Sequence, residues 1–351
     1  MAETVAIGLT HYPPLTWPDG HMADILRWTL QDPDIPEELR SPAGWPAEAV
    51  AEYGDDGGAA AAARHRAALL ESTRRLRRVV DEFAPDVIVV WGDDQYENFR
   101  EECVPAFCVL ALEDTKVQPW LHPFMGIPNV WGEDPETTFE FPGAREIGRY
   151  VARGLLDAGF DPAYAYRNRA GEAFPHAFLN TLLFLDYDRA GFDVPILPIA
   201  VNCYGRHLLT RKGGLARFRD AVAPADGDPP SPSPGRCAAL GGAVARILAD
   251  SPWRAVLVAS SSWSHAFLTD KTWRLWPDTD SDRSLYEALQ RGDFAAWRER
   301  PLSAIEESGQ QEMLNWFCLV GAVEALGLSL EWSEFVETRV FNSNKCFALW
   351  R

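Results

Sequence analysis

The sequence predicts a single α/β domain over residues 1–351, with a central, mostly parallel or mixed sheet flanked by helices. Short apolar runs recur along the chain and alternate with segments of helical spacing. This is the pattern of strands that are buried on both faces of a layered sheet. The apolar fraction of 47% and the 14 tryptophans supply enough buried side chains for one large core.

Each predicted element depends on a local pattern of residues. The strands are predicted from apolar, β-branched runs at residues 4–10, 86–91, 106–110, 195–201 and 253–260. Two C-terminal runs are predicted to close the sheet, at residues 331–340 and 346–350. Helices are predicted from apolar spacing and from terminating Gly or Pro, at residues 59–83, 143–158, 237–250, 283–290 and 313–326.

Two segments lack these patterns. Residues 17–56 are rich in Pro, Gly and Trp, and we expect them to fold over the first strand as a lid. Residues 221–236 include a run of Pro, Ser and Gly, which favours a flexible surface loop. Because a helix and a core strand are predicted directly after this loop, it is interpreted as lying within one domain.

Composition restricts the partners of the protein. A formal net charge of -18 disfavours binding to nucleic acid or to an anionic membrane surface, both of which need clustered Lys and Arg. The first residues show no secretion signal, and no apolar run is long enough to span a bilayer. The six scattered cysteines fit reduced thiols. The expectation is a cytoplasmic protein that acts on a small molecule, with a homo-oligomer left open.

Several histidines lie next to predicted strand ends. His11 follows the first strand, His265 follows the strand at 253–260, and His122 lies in an aromatic loop. His176 begins a predicted helix, whose N-terminus is expected to lower the pKa of its imidazole and so favour a neutral base. Each histidine alone could be a structural one. As a group at the edge where α/β sheets bind ligands, they predict a functional site.

Carboxylates occur near the same strand ends. Asp93 and Asp94 follow the second strand. Farther along the chain, Asp282 is the expected N-cap of the helix at 283–290, which leaves Asp280 available. Two histidines and one carboxylate can form an iron(II) site that keeps coordination positions open for substrates.

Taken in order, these segments resemble the class III extradiol ring-cleaving dioxygenases, the family of the catalytic subunit of protocatechuate 4,5-dioxygenase. The resemblance covers most of the chain. It depends on six short segments in the family's order, at residues 10–13, 87–99, 142–160, 175–178 with 195–202, 260–265 and 280–282.

The resemblance implies a non-haem iron(II) site held by His11, Gln95 and Asp280. Two of these positions depart from the family, which has histidine where Gln95 stands and usually glutamate where Asp280 stands. An amide is a weaker iron ligand than imidazole, so three interpretations stay open. Gln95 binds through its side-chain oxygen or leaves an iron site with two protein ligands and more water. A nearby group such as Asp94, Glu97 or His122 is recruited instead, or the protein uses no metal.

The resemblance also implies a catechol-like or phenolic substrate that reacts with O₂. His176 would be the acid–base residue, and His265 and His122 would contact the substrate. The predicted function is an iron(II)-dependent ring-cleavage dioxygenase with an altered metal triad. Gln95 leaves two alternatives: a metal-free or differently metallated relative that performs hydrolysis, decarboxylation or isomerisation on an aromatic acid, and a non-catalytic binding protein.

Overall fold

Eight strands form the central sheet of the computed structural model, which describes residues 2–122, 124–168, 174–208 and 228–351. With the two strands of a separate hairpin, the described strands are β1 Thr4–Leu9, β2 Val87–Asp93, β3 Phe107–Leu110, β4 Thr115–Val117, β5 Phe139–Phe141, β6 Ala163–Ala165, β7 Ile196–Val201, β8 Ala255–Ser260, β9 Leu330–Val336 and β10 Lys345–Trp350. The sheet order is β6-β3-β7-β2-β8-β1-β10-β9, and β4 pairs with β5 in a separate hairpin. The predicted mixed sheet is therefore confirmed.

The four middle strands of the sheet, β7, β2, β8 and β1, run parallel to one another. Antiparallel pairing occurs only outside this group, where β3 joins β7 and where β10 joins β1 and β9 within the described residues. Because parallel strands end at the same edge, the segments after β1, β2, β7 and β8 meet there.

Helices cover both faces of this sheet. They are α1 Asp24–Thr29, α2 Ala47–Tyr53, α3 Ala59–Phe83, α4 Arg145–Asp157, α5 His176–Leu185, α6 Pro234–Ala249, α7 Thr279–Gln290, α8 Phe294–Arg298, α9 Leu302–Glu307 and α10 Leu314–Leu326. Side chains of β2 alternate between the two cores. Val89 and Trp91 face the core that includes residues of α4, α6 and α10, while Ile88 and Val90 face the core of α3 and α5.

Helix α10 is fixed by a close crossing with α6. A methyl group at Gly321 would come within 1.9 Å of the Ala238 carbonyl oxygen, and one at Gly241 within 1.8 Å of the Cys318 carbonyl oxygen. Only glycine allows the backbones to approach so closely at these positions. This contact sets the position of the chain that enters α10, including Glu312 in the turn Gln311–Met313.

Of the two irregular segments, the structure describes the first completely and the second only in part. Residues 17–56 contain α1, α2 and short 3₁₀ turns, and Leu26 packs in the same core as Ile7 of β1. Their action as a lid stays a prediction. Of the predicted loop 221–236, residues 221–227 lie outside the described residues, and its end belongs to α6, which begins at Pro234. Among the described residues, no helix is both long and apolar enough to cross a membrane.

Helix α7 begins four residues before its predicted start, and this changes the roles of its aspartates. The N-cap is Asp278, whose side chain accepts a hydrogen bond from the Ser281 backbone N–H. Asp282, the expected cap, is instead fully buried. Asp280 lies in the exposed first turn, with its side chain 94% exposed and 3.8 Å from Arg283. The structure therefore does not place Asp280 at the predicted metal site.

Buried Asp282 joins three loops that carry site residues. Its carboxylate accepts hydrogen bonds from the Ser264 backbone N–H at 3.0 and 3.1 Å, from Gln310 Nε2 at 2.7 Å and from Asn344 Nδ2 at 2.9 Å. Ser264 directly precedes His265, and Gln310 lies two residues before Glu312. Asp282 thus fixes the distance between the β8 end and the entry to α10.

We predict that Asp282→Ala lowers the free energy of unfolding by about 3 kcal/mol, because three buried donors lose their acceptor. Asp280→Ala, two residues away on the same helix, should change it by less than about 0.5 kcal/mol. Chemical denaturation of both variants measures this difference. Equal effects of the two substitutions would contradict the role assigned to Asp282.

Candidate active site

The candidate site lies at the carboxyl ends of the four parallel strands. His11 follows β1, Asp93 ends β2, Tyr204 follows β7 and Ser260 ends β8. Glu312 approaches the same point from the turn before α10. All five residues are buried, so their polar atoms depend on one another rather than on solvent.

The orientation of His11 is set by the end of β8. Its Nδ1 lies 2.9 Å from the Ser260 carbonyl oxygen, and because a carbonyl can only accept, Nδ1 carries the proton. In the neutral ring, Nε2 then has a free lone pair. This atom lies 3.4 Å from Glu312 Oε2 and 3.8 Å from Asp93 Oδ1. A histidine that donates one ring N–H to a backbone carbonyl is oriented as metal-binding histidines are.

Two buried carboxylates face the free nitrogen of His11. Glu312 Oε1 accepts a hydrogen bond from the Tyr204 hydroxyl at 2.8 Å, whereas Glu312 Oε2 is buried without a hydrogen-bond partner among the described residues. One ligand atom each of His11, Asp93 and Glu312 lies within 4.8 Å of the others. An imidazole nitrogen and two carboxylate oxygens at this spacing could hold a divalent metal ion.

Gln95 contacts both carboxylates through its amide nitrogen. Gln95 Nε2 donates to Asp93 Oδ2 at 2.9 Å and to Glu312 Oε1 at 2.8 Å. The structure therefore places Gln95 beside the predicted metal site, as a hydrogen-bond donor to two carboxylates.

The electrostatic environment differs for the two carboxylates. Burial and the nearby Glu312 charge raise the pKa of Asp93 to about 6. Burial alone would also raise the pKa of Glu312, but His265, His11 and the Tyr204 hydroxyl outweigh it and lower that pKa. A divalent cation at this point would favour the ionised form of both.

Asp94 does not join this group. Its carboxylate accepts hydrogen bonds from the backbone N–H groups of Glu97, Asn98 and Phe99, at 3.0 to 3.3 Å. Burial and the Glu97 charge raise its pKa to about 7. Asp94 therefore shapes the loop after β2, and this loop directs Glu97 toward His176.

His176 is paired with Glu97 at the N-terminus of α5. Glu97 Oε1 lies 3.0 Å from His176 Nδ1 and also accepts from the His176 backbone N–H at 3.0 Å. Burial by itself lowers the pKa of His176, but the Glu97 charge and hydrogen bond outweigh it and raise the pKa to about 9. The expected lowering by the helix N-terminus is thus wrong, because a carboxylate 3.0 Å away acts more strongly than a helix dipole.

The other two predicted histidines lie at different depths. His265 is buried, with Nε2 3.3 Å from Glu312 Oε2, so this oxygen lies between two imidazoles. His122 is an exposed residue on the rim. The rings of His176 and His11 meet edge to face with centroids 5.1 Å apart. The structure thus brings His11, His176 and His265 together.

These side chains open into a cavity of about 710 Å³. Its polar wall includes His11, Gln95, Glu97, His176, His265 and Glu312. Its apolar and aromatic wall includes Tyr12, Trp17, Ile25, Trp120, Phe174 and Phe267. A cavity of this size, lined by apolar and aromatic side chains and a few polar groups, suits a small ring compound.

The chain is similar in sequence to several curated proteins. A 2,3-dihydroxyphenylpropionate/2,3-dihydroxicinnamic acid 1,2-dioxygenase from Comamonas testosteroni is 31% identical over 189 residues, covering 54% of this chain and 46% of that protein. A protein of the same name from Paraburkholderia phymatum is 25% identical over 305 residues, covering 74% and 82%. One from a Rhodococcus species is 26% identical over 189 residues, covering 54% and 46%. These similarities support the resemblance of the chain to the class III extradiol dioxygenases.

No family model matches the chain. A solved structure of an uncharacterized protein from Escherichia coli K12 has a TM-score of 0.43 and 12% identity, over 80% of this chain and 91% of that one. In the Comamonas and Rhodococcus comparisons, the chain spans about half the length of the curated relative.

Glu312 is the residue of the buried carboxylate pair that sequence reasoning missed altogether. Glu312 lies in a short turn between two helices, and no motif marks it. One signal could have revealed it. Glu312 is a carboxylate directly before α10, a helix whose first ten residues, Leu314 to Val323, are all buried. A charge that enters the core beside such a helix is costly unless it is paired or binds a cation.

We predict that Glu97→Gln lowers the pKa of His176 from about 9 toward its ordinary value of about 6.5, because the neutral amide no longer favours the charged imidazole. Histidine ¹H–¹⁵N NMR titration of the metal-free protein measures this shift. Glu101→Gln is the matched control, since Glu101 accepts from the Tyr96 hydroxyl on the same loop. An unchanged His176 titration in Glu97→Gln would contradict the assignment.

Proposed function

We propose that this protein is an iron(II)-dependent ring-cleavage dioxygenase that acts on a catechol-like aromatic compound and O₂. The observation that carries this proposal is the buried group of His11, Asp93 and Glu312 at a cavity that also presents His176. The curated relatives are named as dioxygenases of dihydroxyphenylpropionate and dihydroxicinnamic acid, which supports a dihydroxylated ring as the substrate class.

The donor set fits a divalent metal. Glu312 Oε2 is buried without a hydrogen-bond partner among the described residues, and His11 Nε2 presents a lone pair toward it. His11, Asp93 and Glu312 would hold the ion. When bound, iron(II) supplies the one-electron chemistry that allows an aromatic diol to react with O₂.

His176 is the residue placed to move a proton. Its Nδ1 is held by Glu97, so Nε2 is the atom left to exchange a proton with a bound ring hydroxyl. A pKa raised to about 9 keeps the imidazole charged in the metal-free protein, ready to donate. His265, behind Glu312, and His122, at the rim, would contact the substrate from two sides.

The aromatic wall of the cavity supports a flat substrate. Trp120, Phe174 and Ile25 of α1 are among the apolar residues that line the cavity. Apolar walls limit access of water to the ring while the polar wall orients its hydroxyl groups. The short helices of residues 17–56 would then complete the enclosure, as expected for a lid.

Anaerobic loading with iron(II), followed by a panel of catechols and air, should give a yellow, ring-opened product. His176→Asn should lower kcat about 10²–10⁴-fold, because a positioned acid–base residue contributes that much. It should leave the iron content unchanged. His21→Asn is the control, since His21 pairs with Asp24 away from the cavity. A full panel without product on iron-loaded protein would overturn the proposal in favour of non-oxidative chemistry.

A further inference from the structure

We propose that Gln95 is a positioning residue and not a metal ligand, and that the metal ligands of this chain are one histidine and two carboxylates: His11, Asp93 and Glu312. This inference rests on the proposed function in that it concerns the same site. It concerns which atoms hold the metal, and it can be tested without any ring cleavage.

The identity of the Gln95 atom that faces the carboxylates follows from hydrogen-bond chemistry. Ionised carboxylate oxygens can only accept, so the group at 2.8 and 2.9 Å from them is the amide nitrogen. That nitrogen has two hydrogens, and each of them has one acceptor. A carbonyl oxygen at the same place would face two negative charges without a donor, which is strongly unfavourable.

This arrangement separates the oxygens of each carboxylate into two roles. Asp93 Oδ2 and Glu312 Oε1 are held by Gln95, and Glu312 Oε1 also accepts from Tyr204. The remaining oxygens, Asp93 Oδ1 and Glu312 Oε2, are the ones near His11 Nε2. One amide therefore fixes both carboxylates with their second oxygens toward a common point.

The charge of this ligand set differs from that of two histidines and one carboxylate. Two carboxylates and one neutral imidazole carry a charge of about -2, which a divalent ion cancels. With two neutral imidazoles and one carboxylate, the same ion would leave a net charge of about +1 on the site. Carboxylates suit harder ions such as Mn²⁺, and imidazole suits softer ions such as Zn²⁺. The site should therefore discriminate less strongly in favour of Zn²⁺ than a two-histidine site does.

Metal affinity distinguishes a ligand from a positioning residue. In calorimetric titration of metal-free protein with Mn²⁺, Asp93→Asn should weaken binding at least about 100-fold, because a charged ligand is lost. Gln95→Met should weaken it only about 10-fold, in the range for residues that orient ligands. Asp280→Asn should bind as the wild type does. Full-strength binding by Asp93→Asn together with a 100-fold loss in Gln95→Met would overturn the proposal.

A spectroscopic count of imidazoles tests the same point in the unsubstituted protein, so that it does not depend on a variant that folds. Pulsed electron paramagnetic resonance of the Mn²⁺-loaded wild type should show one coordinated imidazole nitrogen. Gln95→His should show two, and its ratio of Mn²⁺ to Zn²⁺ dissociation constants should rise about 10-fold. Two coupled nitrogens in the wild type would overturn the ligand set.

These results are separate from those of the activity test. One imidazole and the expected order of Mn²⁺ affinities, without any ring-opened product from the iron-loaded protein, would refute the proposed activity and leave the ligand assignment intact. Ring-opened product together with unchanged Mn²⁺ binding in Asp93→Asn would support the proposed activity and refute the ligand assignment.

Discussion

Two buried carboxylates that share one amide nitrogen are the interaction on which this site depends. Asp93 and Glu312 come from distant parts of the chain, and each would be costly to bury alone. Gln95 donates to both, Tyr204 donates to Glu312, and His11 lies against their remaining oxygens. The pairing fixes the end of β2 against the entry to α10, and it creates the negative charge that would attract a cation.

Contacts on both sides of α10 hold this pair of carboxylates in place. Asp282 connects the loops after β8, before α10 and before β10 through donors from Ser264, Gln310 and Asn344. On the other side of α10, Gly241 and Gly321 allow a backbone contact that sets the helix position. The hydrogen bonds of Asp282 and the backbone contact at the two glycines therefore both hold Glu312 in place. The short turn that contains Glu312 would not fix its position by itself.

The glutamine at position 95, where the resemblance leads one to expect a histidine, has a physical explanation in this structure. A glutamine can satisfy two carboxylates at once, which a single imidazole nitrogen cannot do with one hydrogen. Asp93 at the end of β2 adds a second carboxylate beside Glu312 and His11. The polar group at this edge of the sheet thus contains one imidazole and two carboxylates, and one amide contacts both carboxylates.

The sequence by itself determined the elements and part of the site. Most predicted strands and helices lie within a few residues of their observed bounds, because apolar periodicity is local, and His11, His176 and His265 were found because they adjoin such elements. Only the tertiary structure decided which acidic residues are buried at the site. Asp280 and Glu312 are both acidic residues beside helices, and only the crossing of α10 over α6 and the edge of the sheet determine which of them is buried against His11.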